Sequence, residues 1–163
     1  MDRAGQQFER RRAMTHPPKL GAIVALFESL PEDEKRENLI AYSEQSKTHE
    51  PRPGEKFDLE DVRKDEECTD TVGVFLKVDA QRRVAFRITL GPQVQTLTKA
   101  MTAILCKALD GCTLDEIVEL PADFVPRIVG GQLVRIRSQT VYYILTRMKG
   151  ACRVFLNRLR AAE

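Results

Sequence analysis

The sequence predicts an α+β fold, a small antiparallel sheet of about three strands packed against N-terminal and C-terminal helices. Three observations predict it. Two runs of alternating apolar and polar residues, 71–79 and 82–90, flank a short polar turn and read as a hairpin. Apolar residues at three- and four-residue steps dominate the chain before and after that hairpin. No strand–helix–strand unit of the parallel kind is visible, which argues against an alternating α/β sheet.

Residues 1–18 are polar, end in "THPP" and read as a flexible arm; residues 19–163 read as a single domain. From Lys19, the residues Leu20, Ile23, Val24, Phe27 and Leu30 form one helical stripe. Ser29 with Glu32 fits a capping box, and Pro31 fits a helix's first turn, so a second helix follows with Leu39 and Ile40 as its buried contacts. "KTHEPRPGEKF" is a loop by its prolines and glycine. Leu59–Arg63 carries enough charge to suit an edge strand rather than a central one.

In "TVGVFLKVD", Val72, Val74, Leu76 and Val78 share one face, with Gly73, Phe75 and Lys77 on the other. In "RRVAFRITL", Val84, Phe86, Ile88 and Leu90 face one way while Arg83, Arg87 and Thr89 face the other. After Gly91–Pro92 the spacing lengthens. Val94, Leu97, Met101, Ile104, Leu105 and Ala108 make a core stripe that Asp110–Gly111 ends. Thr113 and Glu116 form a second capping box over a short helix, and "PADFVP" adds another helical turn. From about Ser138 to Arg160, Val141, Ile144, Leu145, Met148, Cys152, Phe155 and Leu159 mark a long amphipathic helix that packs across the sheet.

The chain has 163 residues, 42% hydrophobic and 31% charged, which suits one core-bearing domain. A net charge of +2 is too even to suggest nucleic acid or an anionic membrane as partner. No apolar stretch nears the ~20 residues of a membrane span, and no secretory signal is visible, so a cytoplasmic location is expected. The sequence lacks G-x-G-x-x-G, G-K-[ST], H-E-x-x-H and G-x-S-x-G patterns. Attention therefore falls on the four cysteines.

Cys68, Cys106, Cys112 and Cys152 form no C-x-x-C pair, and no metal site or cofactor is expected. Cys106 and Cys152 lie on helical core stripes and read as small buried hydrophobes. Cys112 sits at a helix end, where partial exposure is open to it, but with no activating base beside it the buried-hydrophobe reading leads here too. Cys68 precedes the first strong strand, with Asp65, Glu66, Glu67 and Asp70 around it. Carboxylates oppose thiolate formation. Position alone leaves both readings open, an incidental loop cysteine or a working thiol held by a rigid sheet.

From Lys19 onward the chain resembles the SufE family. "AIVALFESLPEDEKRENLIAYSEQ" resembles the family's opening helices with their leucine–isoleucine pair. "ECTDTVGVFLKVD" resembles its glycine-cysteine-x-serine-x-valine-tryptophan segment, with Cys68 on the acceptor cysteine and Val72 on the valine. "RVAFRITLGPQVQTLTKAMTAILCKALDGCTLDEIVELPADF" follows the family's next strand, helix and T-x-x-E-I turn. "RSQTVYYILTRMKGACRVF" resembles the arginine-serine-asparagine-glycine-leucine stretch, with Arg137 on the arginine and Gln139 on the asparagine. The departures are Glu67 for glycine, Asp70 for serine, Gly73 for tryptophan, and the missing glycine after Gln139.

The resemblance implies a SufE/IscU-like fold and a sulfur acceptor that is not itself an enzyme. Cys68 would take persulfide sulfur from a pyridoxal-phosphate cysteine desulfurase of SufS type, stimulate that enzyme, and pass the sulfur to an iron–sulfur scaffold complex of SufBCD type. Asp70, Arg63, Arg137 and Gln139 would support the cysteine segment or contact the partner. Two alternatives remain: an IscU-type cluster scaffold, which needs several converging soft ligands, and a desulfurase adaptor that carries no sulfur.

Overall fold

A computed structural model of the chain describes residues 16–64, 71–130 and 138–163. Helices α1 (Pro18–Ser29) and α2 (Glu32–Glu44) and a 3-10 turn (Ser46–His49) precede a sheet of β1 (Leu59–Lys64), β2 (Thr71–Val78) and β3 (Val84–Thr89). Helices α3 (Thr96–Leu109), α4 (Leu114–Val118), α5 (Phe124–Val129) and α6 (Gln139–Ala162) follow. The sheet is antiparallel in the order β1-β2-β3, so the charged strand lies at an edge as its composition predicts. This is the expected α+β architecture.

The sheet's inner face is built by alternation. Val72, Val74 and Leu76 of β2 and Val84, Phe86 and Ile88 of β3 are buried under α3 and α6. Helix α3 is the centre of the core, with Met101, Ile104, Leu105 and Leu109 fully buried. Leu20, Ile23, Val24 and Phe27 of α1 join the same cluster. Pro17 is buried and His16 packs edge-on against Phe124, so packing begins two residues before the first helix.

Two local expectations are corrected. Ser29 does not cap α2; it is the last residue of α1, and its hydroxyl donates back to the Leu26 carbonyl, 2.7 Å away. Pro31 takes the cap position instead, where its missing N–H costs nothing. Ile40 is exposed, because α2 buries only Leu39 of the pair. The Thr113–Glu116 capping box forms as expected, in both directions.

The hairpin turn between β2 and β3 is organised by Asp79, whose carboxylate accepts from the backbone N–H groups of Gln81 and Arg83, both at 2.9 Å. Arg82 takes the left-handed conformation that closes it. Beyond the turn, Val84 bonds through its backbone to both Gly111 and Cys112, which ties the end of α3 to β3.

The outer face of the sheet has a different chemistry. The segment after the 3-10 turn places Phe57 against Phe75 at 5.1 Å between centroids. Glu55 accepts from Lys77 at 2.6 Å, from Arg87 at 3.4 Å and from the Arg52 backbone N–H at 3.0 Å. Gly73 lies on this face between Phe75, Thr89 and Val62. A Cβ there would overlap the Thr89 hydroxyl and come within 2.9 Å of the Phe75 ring. Only glycine fits beneath the Phe75 ring.

Gly73→Ala is therefore expected to lower stability by about 1–3 kcal/mol, the usual scale of overpacking. An unchanged urea midpoint would contradict this packing. Glu55 supplies the acid-side prediction. Its hydrogen bonds to Lys77 and then to the Arg52 backbone hold its pKa down to about 2, against 4.5 ordinarily. A depressed carboxylate stabilises the fold above the unfolded value and loses that contribution as pH falls through the folded one. The advantage of wild type over Glu55→Gln should be full above pH 4.5 and shrink toward about pH 2. A constant difference in urea midpoint over that range would refute the pairing.

Candidate functional site

β1 and β2 end side by side, with Lys64 opposite Thr71 in the register. The chain between them, residues 65–70, contains Cys68 and Asp70, which lie outside the described residues; so does Arg137. What the structure describes is the foundation from which that connection departs.

The foundation is a charged cluster. On β1, Leu59, Asp61 and Arg63 share the face turned toward α6. Arg147 comes to meet them from α6, and only 2% of its side chain is exposed. It lies on the same helical stripe as Ile144 and Met148. Its Nη1 donates to the Val72 carbonyl at 2.5 Å, and its Nη2 donates to the Asp61 carbonyl. Nε and Nη2 also reach the Asp61 carboxylate, at 3.3 and 3.2 Å. The guanidinium carbon stands 5.4 Å from the Tyr143 ring centre, one helical turn earlier. One side chain thus bonds to both strands and to the helix that covers them.

Asp61 is shared. Arg63 donates to it twice, at 2.8 and 2.9 Å, in a forked pair on the surface side. Burial pushes the Asp61 carboxyl up, but the hydrogen bonds from Arg63 and Arg147 outweigh it and the pKa falls below its ordinary 3.8. Two guanidinium groups thus share one carboxylate. Arg63, expected to serve the cysteine segment, is exposed but already engaged with Asp61. Gln139 opens α6 at the surface, directly after the buried Ser138.

The other thiols are sealed. Cys106, Cys112 and Cys152 are all buried free cysteines. Burial pushes their pKa values up to about 12, 11 and 12. Cys112 is buried like the other two, because the chain after Gly111 turns inward to bond Val84. Among the described residues, no cluster of histidine, cysteine, aspartate and glutamate is arranged to hold a metal ion. His16 pairs with Asp123 at 3.3 Å, while His49 lies far along the chain near α3.

Arg147 and Asp61 are the residues sequence reasoning missed. The signal is present: position 147 falls on the buried stripe of the last helix, three residues after Ile144 and four before Ala151. A charge on such a stripe needs a buried partner. Asp61 offers the matching sign on the inner face of an edge strand.

Comparison with known proteins adds three findings. Residues 21–152 match the family model described as "SufE: Fe-S metabolism associated domain". The solution structure of a hypothetical protein from Thermus thermophilus is similar, with a TM-score of 0.67 and 25% identity over 87% of this chain and 98% of that one. No curated protein matches the chain significantly.

Arg147→Met should cost about 3–5 kcal/mol, because it strands two carbonyls in a buried seam and removes one of Asp61's two cationic partners. Arg147→Lys should recover only part, since an ammonium cannot serve both strands in one plane. Arg63→Gln should cost about 0–1 kcal/mol, as expected of an exposed pair. Equal losses at 63 and 147, read from chemical denaturation, would contradict this division.

Proposed function

The chain belongs to the SufE family, whose domain is associated with Fe–S metabolism, and from that premise we propose that it is a sulfur acceptor working through Cys68. The observation that carries this reading is one of subtraction. Three of four thiols are buried and hold their protons to about pH 11 or above. The fourth falls, by the sequence resemblance, on the family's acceptor cysteine, in the connection between two pinned strands.

The donor is the persulfide of a pyridoxal-phosphate cysteine desulfurase. The Cys68 thiol loses its proton, and the thiolate attacks the outer, sulfane sulfur. A new S–S bond forms on Cys68 as the donor's S–S bond breaks. The donor cysteine departs as a thiolate and can take up the released proton. The sulfane sulfur moves with its oxidation state unchanged, so the transfer needs no external oxidant or reductant. A scaffold for iron–sulfur assembly then receives the sulfur by a second exchange of the same kind. The cytoplasm is the location that fits this work.

The acidic flank explains restraint. Asp65, Glu66, Glu67 and Asp70 favour the protonated thiol in the free protein. Arg63 offers little relief, because Asp61 already compensates it. Activation is therefore assigned to positive charge met on docking, from the partner and from Arg137. Asp70 and Gln139 stay in this reading as supports of the cysteine segment. The scaffold alternative gains no support from the buried thiols, which would need core opening to reach iron.

Two measurements test the reading. Desulfurase turnover should rise with the wild-type chain and not with Cys68→Ser; full stimulation by the variant would identify an adaptor that carries no sulfur. Cys68 should alkylate slowly alone and at least about tenfold faster in the complex, the scale of a one-unit fall in thiol pKa. Equal rates would overturn the docking-activation step.

A further inference from the structure

The far edge of the sheet carries a second feature that the Cys68 reading does not use. A cleft of about 270 Å³ lies against β3, on the opposite sheet edge from β1. Lys19 of α1, Arg87 of β3 and Lys107 of α3 line it, with His49 of the 3-10 turn among them and Cys106 also lining it, almost fully buried. Asp110 supplies the one carboxylate in the lining.

The cations are held in place by neighbours. Lys19 Nζ donates to the Asp110 carbonyl at 3.3 Å. Arg87 Nη1 donates to the Thr48 carbonyl at 3.3 Å, beside His49, and Nε reaches Glu55 at 3.4 Å. The Lys107 ammonium stands 5.6 Å from the Tyr42 ring centre. Burial, then Arg87 and Lys107, push the His49 pKa below 6.5, with Asp110 opposing. Even counting Asp110 and Glu55, the cleft holds positive charge in excess. Convergence of like charges from three separate elements is costly, and an anion relieves that cost.

We infer that this cleft binds a small, multiply charged oxyanion of the phosphate class, held by Lys19, Arg87, Lys107 and the His49 imidazole. A guanidinium and two ammonium groups supply the charge-assisted donors such an anion needs. The volume lies just below the ~300 Å³ lower end of ordinary small-ligand sites, so a phosphate or a small phosphomonoester fits and a nucleotide does not. The site is independent of sulfur transfer, since no group in it belongs to the β1–β2 foundation.

The two histidines make the test internal. His49 lines the cleft, and His16 pairs with Asp123 elsewhere. The ring resonances of both are followed by NMR in the full chain during titration with inorganic phosphate, then O-phosphoserine, then sodium chloride at matched ionic strength. The expected result is a saturable shift of His49 alone, with its pKa rising as the anion binds. A tighter response to phosphate points to the free ion, and a tighter response to phosphoserine points to a phosphomonoester. Lys107→Gln should weaken binding by about fivefold, the scale of one solvent-facing charged contact. The inference is overturned if His49 does not saturate, if chloride reproduces the shift, if His16 moves in parallel, or if Lys107→Gln binds as tightly as wild type.

Discussion

Arg147 reaches from the last helix into the seam between β1 and β2, where the Asp61 carboxylate and the carbonyls of Asp61 and Val72 meet it. A guanidinium kept from water is tolerable only with near-complete partnering, so the helix, the edge strand and the central strand must keep one relative position. That constraint falls where the two strands finish and the cysteine-bearing connection departs. An edge strand held by strand pairing alone would be free to fray. Here it is tied to α6 by a planar guanidinium whose forked donors span both strands.

The cysteines divide along the same line. Three are core-filling residues whose thiols stay protonated because the interior cannot solvate a thiolate. The fourth stands in a polar stretch of sequence among four acids, just before the strand whose Val72, Val74 and Leu76 enter the core. A family associated with Fe–S metabolism needs a thiol that neither oxidises idly nor stays silent before its partner. In the function proposed above, four carboxylates are assigned the first property and charge gained on docking the second.

Much of the fold is legible in the sequence because period and burial coincide. The alternation in β3 buries one face, so the pattern names the core directly, while α3 buries its predicted stripe and more, with every residue from Ala100 to Cys106 enclosed. Ser29 misleads because a capping signal and a helix C-terminus use the same hydroxyl, and only the position of Pro31 decides between them. Gly73 reads as a plain gap in the strand's pattern, whereas in three dimensions the Phe75 ring, the Thr89 hydroxyl and Val62 leave no room for a side chain there. Arg147 is hidden for a different reason: its partners come from β1 and β2, more than seventy residues earlier.

The central claim is that one thiol, Cys68, receives the sulfur. Its most direct test is intact mass followed by peptide mapping after a single turnover with desulfurase, pyridoxal phosphate and isotopically labelled cysteine. The account predicts one labelled sulfur per chain, all of it on the peptide containing Cys68 and none on the Cys68→Ser chain. Label on Cys106, Cys112 or Cys152, or no label on any cysteine while the desulfurase turns over, would contradict it.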